Sequence, residues 1–143
     1  MFTERGQGLI RWGVVLLALS VLSGFAIMIA PVPLMGLAGH VQGLLNAVLL
    51  IAVGVIWSRL DTPYLGAVII YWGLIAGAFV TFGVQLVCTF LEIGGTTFPI
   101  VAGSHTGSQL EETVVRLLIQ AAAAFTTVAV LTATWAALRK PPI

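Results

Sequence analysis

Residues 39–59 read GHVQGLLNAVLLIAVGVIWSR, the end of an uncharged run that begins at Trp12 and closes at Ser58. A histidine, a glutamine and an asparagine (His40, Gln42, Asn46) nevertheless stand in it. On a helix turning about 100° per residue, with His40 at zero, Gly39, Gln42, Gly43, Asn46, Ala47, Val53, Gly54 and Trp57 fall between roughly 200° and 360°. Leu44, Leu45, Val48, Leu49, Ile51 and Ile56 take the other half. One face is bulky and apolar and suits lipid; the other is small and polar. Gly39-x-x-x-Gly43-x-x-x-Ala47 is a small-xxx-small repeat, which admits another helix or a flat group close to the backbone. The segment therefore reads as a transmembrane helix with a committed inner face.

The rest of the chain agrees. It has 143 residues, 59% hydrophobic and 8% charged, with mean hydropathy +1.12. The charges gather at Glu4, Arg5 and Arg11, at Arg59 and Asp61, at Glu92, at Glu111, Glu112 and Arg116, and at Arg139 and Lys140. Between them lie apolar spans of roughly 20 to 30 residues, enough to cross a bilayer. The sequence thus predicts an all-α, four-helix transmembrane bundle occupying 1–143 as one integral membrane domain, with helices near 8–30, 39–59, 63–92 and 109–139. Helix 1 is expected to stop at Pro31 and Pro33. Helix 3 is expected to open at Thr62-Pro63, a cap followed by proline at the first helical position. "IGGTTFPIVAGSHTG" (93–107) reads as a loop, and Ser108-Gln-Leu-Glu111 as a capping box opening helix 4, which runs to about Lys140 before Pro141 and Pro142.

Arg5, Arg11, Arg59, Arg139 and Lys140 all fall at one end, so the positive-inside rule places both termini in the cytoplasm. Trp12, Trp57 and Trp135 fall at that end too, as an aromatic belt would. The first span is read as a helix, since its apolar run is long for a signal peptide and no small-x-small cleavage site stands out. No basic patch interleaved with aromatics is present, so nucleic acid is not an expected partner. Cys88 is alone, which provides neither an intrachain disulfide nor a CxxC site.

Two further stripes accompany the first. On helix 3, Gly77, Thr81, Gln85, Cys88 and Glu92 are spaced four, four, three and four apart. On helix 4, Gln109, Glu112, Arg116, Gln120 and Thr127 do the same. Three stripes predict a shared polar interior, with His40, Glu92, Glu112, Arg116 and loop residue His105 toward the non-cytoplasmic end. Ionisable groups at membrane depth are by default functional candidates. Blander readings exist for each: His40 facing interfacial water, the glycines serving helix packing, Glu112 and Arg116 neutralising each other, Glu92 and His105 at the surface, Cys88 as core. Asn46, well inside its span, needs a partner in any reading.

"GHVQGLLNAVLLIAVGVIWSRL" and "FPIVAGSHTGSQLEETV" resemble the hydroxylaminobenzene mutases, small four-helix membrane proteins, and the His-x5-Asn pattern of the first segment also resembles styrene oxide isomerase. The two segments cover about a quarter of the chain, and helix order and length match over nearly all of it. The resemblance implies an intramolecular isomerase that converts an aryl hydroxylamine into an aminophenol. It also implies haem b, with ferric iron as Lewis acid toward the substrate oxygen, held between subunits of a homo-oligomeric trimer. Carried over, His40 is the axial metal ligand and Asn46 the substrate-positioning group. Gly39, Gly43 and Ala47 would offer a surface free of bulk to the macrocycle, Arg116 would meet its propionates, and Thr81 and Gln85 would help Asn46. The helix-3 tyrosine of styrene oxide isomerase falls near Phe79 or Val80, neither a hydrogen-bond donor, which favours the mutase reading over epoxide isomerisation. The expected setting is a multi-pass protein of the cell membrane (the inner membrane in a bacterium), taking a small aromatic substrate from the bilayer. Two other classes fit less well: a non-catalytic haem-binding or quinone-interacting subunit, which reduction by a quinol would reveal, and a packing or pore protein, which flux without haem would reveal.

Overall fold

The computed structural model describes residues 4–139; Lys140, Pro141 and Pro142, expected to end the last helix, lie outside them. Most of these residues are helical: α1 (Glu4–Ile27), α2 (Pro33–Ile56, continued by a 3-10 turn over Trp57–Arg59), α3 (Tyr64–Leu91), a short α4 (Pro99–Ala102) and α5 (Gln109–Arg139). The four long helices are long and apolar enough to cross a membrane. Their large apolar side chains point outward: Leu22, Phe25, Leu45, Val48, Leu65 and Leu131 are among those exposed. In water that arrangement would be ruinous; in lipid it is the expected inversion.

The helix ends depart from the expected ones at both ends of α1 and at the starts of α2 and α3, α1 opening at Glu4 and not Gly8. α1 stops at Ile27, before the prolines, and residues 28–30 tighten into three-residue hydrogen-bonded steps, Met28 N–H to Phe25 O through Ala30 N–H to Ile27 O. The α region is disfavoured for Ala30, which precedes Pro31, so the chain cannot continue the helix past this tightened turn. α2 begins at Pro33, not Gly39, because proline lacks only an N–H that the first turn leaves unpaired. Pro63 is the residue flanking α3, Tyr64 is its first helical residue, and no side chain, Thr62 included, caps the start. α3 ends on Glu92 in the left-handed region (φ 56°).

α1 packs along α2, α2 along α3, and α3 along α5, with only slight contact between α1 and α3. Leu9, Leu16, Leu50, Ile70, Leu74 and Phe82 fill the main seam. Val32, Met35, Cys88, Ile93, Ala102 and Val115 form a smaller cluster at the end carrying the 28–32 and 92–108 connections, here the loop end. Trp12 and Trp135 are exposed, but Trp57 is buried and packs edge-on against Tyr71 at 6.5 Å, in keeping with its place on the inner face of the second-span wheel.

Small residues set the helix separations. A Cβ at Gly77 of α3 would collide with Thr126 Oγ1 and sit 3.0 Å from Ala122 O of α5, whereas one at Gly83 would meet nothing within 4 Å. Gly77→Ala is therefore expected to lower stability by about 1–3 kcal/mol, the usual range for overpacking, and Gly83→Ala to leave it near wild type. Thermal unfolding in one detergent checks the pair.

Candidate active site

His40 lies on α2 two turns from its loop end and turns toward α1. Its Nδ1 is 2.7 Å from Ser20 O and 3.5 Å from Ser23 Oγ. The Ser23 hydroxyl itself donates to Ser20 O at 2.7 Å. A carbonyl can only accept, so Nδ1 carries a proton, and in the neutral ring the lone pair is then on Nε2. No hydrogen bond to Nε2 is formed among the described residues. An imidazole tied back at Nδ1 and free at Nε2 has the usual form of a metal-ligating histidine, so this residue fits the axial role that resemblance implies.

The glycine strip does not fit the cradle expected of it. A Cβ at Gly39 would sit 3.1 Å from Gln85 Cβ; one at Gly43 would meet Ser20 Oγ and lie 2.6 Å from the Phe82 ring. Ala47 is fully buried in the main core. Within one chain these positions are covered by α1 and α3, so they bring helices together and leave no bare backbone for a macrocycle.

Asn46 and Thr81 are brought together. Gln42 Nε2–H donates to Asn46 Oδ1 (3.1 Å). Asn46 Nδ2–H donates to Thr81 Oγ1 (2.9 Å) and, at 3.4 Å, to Ala78 O. Thr81 Oγ1 completes the chain at Gly77 O, 2.8 Å away. Asn46 thus has the partner that membrane depth demands, and the network clasps α2 to α3. Gln85 stands one turn on, with Oε1 buried and unpartnered among the described residues, beside Gly39.

The helix-4 stripe does not reach a common interior. α5 turns Val115, Ala122, Ala129 and Ala133 to the bundle, and of the polar stripe only Glu112 is buried; Gln109, Arg116, Gln120 and Thr127 face outward. Arg116 forms no ion pair with Glu112 or any other described residue. It borders a polar cleft of about 450 Å³ with Thr96, Thr106 and Thr113. Since α5 packs on α3 while His40 packs on α1, one chain does not bring Arg116 and His40 together.

The other loop-end groups have structural partners. Glu112 accepts from Gly94 N–H (2.7 Å) and Gly107 N–H (2.8 Å) on one oxygen, and from Thr96 N–H (3.0 Å) and Thr96 Oγ1–H (2.6 Å) on the other. Glu92 pairs with His105 Nδ1 at 3.0 Å, both well exposed, a contact of small energetic weight. Ser108 and Glu111 form the expected capping box, with Ser108 N–H to Glu111 Oε2 at 2.8 Å and Glu111 N–H to Ser108 Oγ at 3.4 Å. Cys88 is buried and free.

Sequence reading missed Ser20 and Ser23, the residues closest to the imidazole. The available signal was a Ser-x-x-Ser-Gly run, Ser20 to Gly24, on one face of an otherwise apolar helix.

Comparison with known proteins gives this geometry its context. The sequence model of the styrene oxide isomerase family matches residues 6–138. Hydroxylaminobenzene mutase HabA of Ectopseudomonas oleovorans is 37% identical over 108 residues, 75% of this chain and 79% of the relative. Hydroxylaminobenzene mutase HabB of the same organism is 31% identical over 104 residues, 73% of this chain and 63% of the relative. No solved structure matches. The family match, which spans the four-helix bundle almost end to end, and the two mutase relatives place the chain in the styrene oxide isomerase family as a multi-pass membrane isomerase.

Proposed function

We propose that this isomerase rearranges aryl hydroxylamines to aminophenols, with haem b held through His40. The reaction class is supported by the 37% identity to hydroxylaminobenzene mutase HabA, and the haem by the His40 ring: Nδ1–H bound to Ser20 O at 2.7 Å, which leaves Nε2 of the neutral ring as a lone-pair donor. When bound, ferric haem would supply Lewis acidity toward the N–OH oxygen. The rearrangement moves a hydroxyl from nitrogen to ring carbon and a ring proton to nitrogen, so it needs no external reductant or oxidant.

The chain's own groups then position the substrate. Asn46 Nδ2–H has one firm acceptor in Thr81 and a long contact to Ala78 O; the long contact is the one it can exchange for a substrate heteroatom. Gln85 Oε1, buried and unpaired, suits a substrate N–H. Ala47, Ala78 and Phe82, buried core residues on the same stretches of α2 and α3, would keep bulk water from a substrate held there and limit where the hydroxyl returns. Arg116 lies seven residues beyond Gln109, as His40 lies seven beyond Pro33, so both sit about 10 Å below the loop end of the bundle. In a homo-oligomer, a trimer by resemblance, α5 of one copy can approach α2 of the next, and Arg116 would then meet the haem propionates. Both termini would face the cytoplasm of a bacterial inner membrane.

The test is product analysis with purified protein and phenylhydroxylamine bearing ¹⁸O, in unlabelled water. Aminophenol should form and keep the label; loss of the label to solvent would contradict a hydroxyl transfer held inside the site. The family match supports a second reading, isomerisation of an aryl epoxide to an aldehyde. Styrene oxide assayed in parallel separates the two.

A further inference from the structure

Helix α1 carries no residue of the expected site, yet it makes every polar contact that the His40 ring has among the described residues. Three features of α1 converge on this ring. Ser20 O accepts from Nδ1 at 2.7 Å. The Ser23 hydroxyl proton is directed at the same carbonyl, 2.7 Å away, so its oxygen presents only lone pairs to Nδ1 at 3.5 Å. Gly24 lies under the ring edge: a Cβ there would stand 3.2 Å from Cε1, 3.4 Å from Nδ1 and 3.9 Å from Nε2.

From this arrangement we infer that Ser23 and Gly24 are positioning residues for His40, a seat on α1 that fixes both the proton and the direction of the imidazole. The inference rests on reading His40 as the iron ligand. Its physical content is separate, however, because the seat acts on the ring whether or not iron is bound. With two acceptors at Nδ1, the tautomer that places the proton on Nε2 would set three lone-pair-bearing atoms against one another, so Nε2 stays free to ligate. The missing side chain at position 24 decides the tilt. A methyl there would stand 3.2 Å from Cε1, inside ordinary van der Waals contact, so it requires a displacement of a few tenths of an ångström and a branched side chain requires more. Iron–imidazole bonds are directional, and outer partners of ligating histidines commonly influence metal affinity by about 10- to 100-fold.

The chain has only two histidines, so ¹⁵N-histidine labelling of the full protein in detergent reports His40 with His105 as internal reference. Apo-protein should show His40 in the Nδ1–H form alone. Gly24→Val should bring in the second tautomer and speed loss of added haemin by about tenfold or more. Gly24→Ala and Ser23→Ala should move both readouts in the same direction by less, and they decide the matter should the valine variant not fold. Gly83→Ala, a glycine with open space around it, should move neither. Wild-type His40 in the neutral Nε2–H form, with Nδ1 bare, or folded Gly24 and Ser23 variants with unchanged tautomer and haemin release, would overturn the assignment. Wild type that takes up no haemin would instead refute the haem reading, leaving the tautomer measurement to judge the seat.

Discussion

Replacing His40 by alanine is expected to abolish turnover of phenylhydroxylamine and strip the purified protein of haem. Activity should fall by about a hundredfold or more, since disturbing merely the partners of a metal ligand costs about 10- to 100-fold. Folding should survive. The ring is half-buried at the α1–α2 contact near the loop end, and its loss removes one hydrogen bond while Ser23 still occupies Ser20 O. A net loss of about 1 kcal/mol follows, against a bundle held by the whole length of α1 on α2. Free imidazole offers a sharper version of the experiment. The vacated space is bounded by Ser20, Ser23 and Gly24, so added imidazole should restore part of the haem absorption and part of the turnover. A variant that retains its full complement of haem and its rate would remove His40 from the chemistry altogether. Loss of turnover with haem retained would give His40 a role toward substrate and leave the iron to another ligand.

Asn46→Leu separates packing from chemistry by a different route. It is nearly isosteric and apolar, but it orphans Gln42 Nε2 and the Thr81 hydroxyl geometry that now clasps α2 to α3. Interhelical hydrogen bonds in membranes are worth about 0.6 kcal/mol on average, so unfolding should change little. A rate loss beyond tenfold would then reflect substrate handling.

Which parts of this molecule were legible in its sequence follows from the range of the physics involved. The buried face of α2 was legible because it is periodic: Gly39, Gly43, Asn46, Ala47, Val53 and Gly54 are all buried as their 3.6-residue spacing requires. The Ser108–Glu111 box was legible because its partners are three residues apart. What a face meets is a different matter. Gly39 and Gly43 look the same to a wheel whether a helix or a flat cofactor lies on them, and only the approach of Gln85 and Phe82 decides. The α5 stripe shares one face as expected, but nothing in a periodicity states whether that face is inward; the alanine series Ala122, Ala129, Ala133 and Ala136 does the packing. Ser20 and Ser23 escaped notice because serines in apolar helices usually satisfy themselves on the preceding turn, as Ser23 in part does. Pro33 was misread because proline ends helices in the interior and begins them at the first position, and the two roles differ by tertiary context rather than by residue type.

The second large effect concerns Glu112, whose importance has no local signature, since its four partners are donors on a loop rather than side chains at helical spacing. Its carboxylate is 5% exposed and gathers Gly94, Thr96 and Gly107 from both ends of the 93–108 connection. Alanine at this position leaves three backbone N–H groups and a hydroxyl without an acceptor. Each unsatisfied buried group costs about 1–3 kcal/mol, so Glu112→Ala is expected to destabilise the loop end by about 3–5 kcal/mol after partial rescue by water at exposed Thr96. Glutamine discriminates charge from shape. Its oxygen can keep Gly94 and Gly107, and its amide can donate to the rotated Thr96 hydroxyl, so one donor, Thr96 N–H, is orphaned. The expected cost is about 1–3 kcal/mol. Hydrogen exchange of peptides covering 93–108 provides the measurement: protection should fall slightly in the glutamine variant and collapse in the alanine variant, while α1 and the α1–α2 seam remain protected. Equal exchange in all three proteins would mean that the loop is held by its Ile93 and Ala102 contacts and that the carboxylate merely fills space among them. The graded outcome, by contrast, would identify a single side chain of α5 as the group that holds the connection against the loop-end cluster of Val32, Met35, Cys88 and Val115.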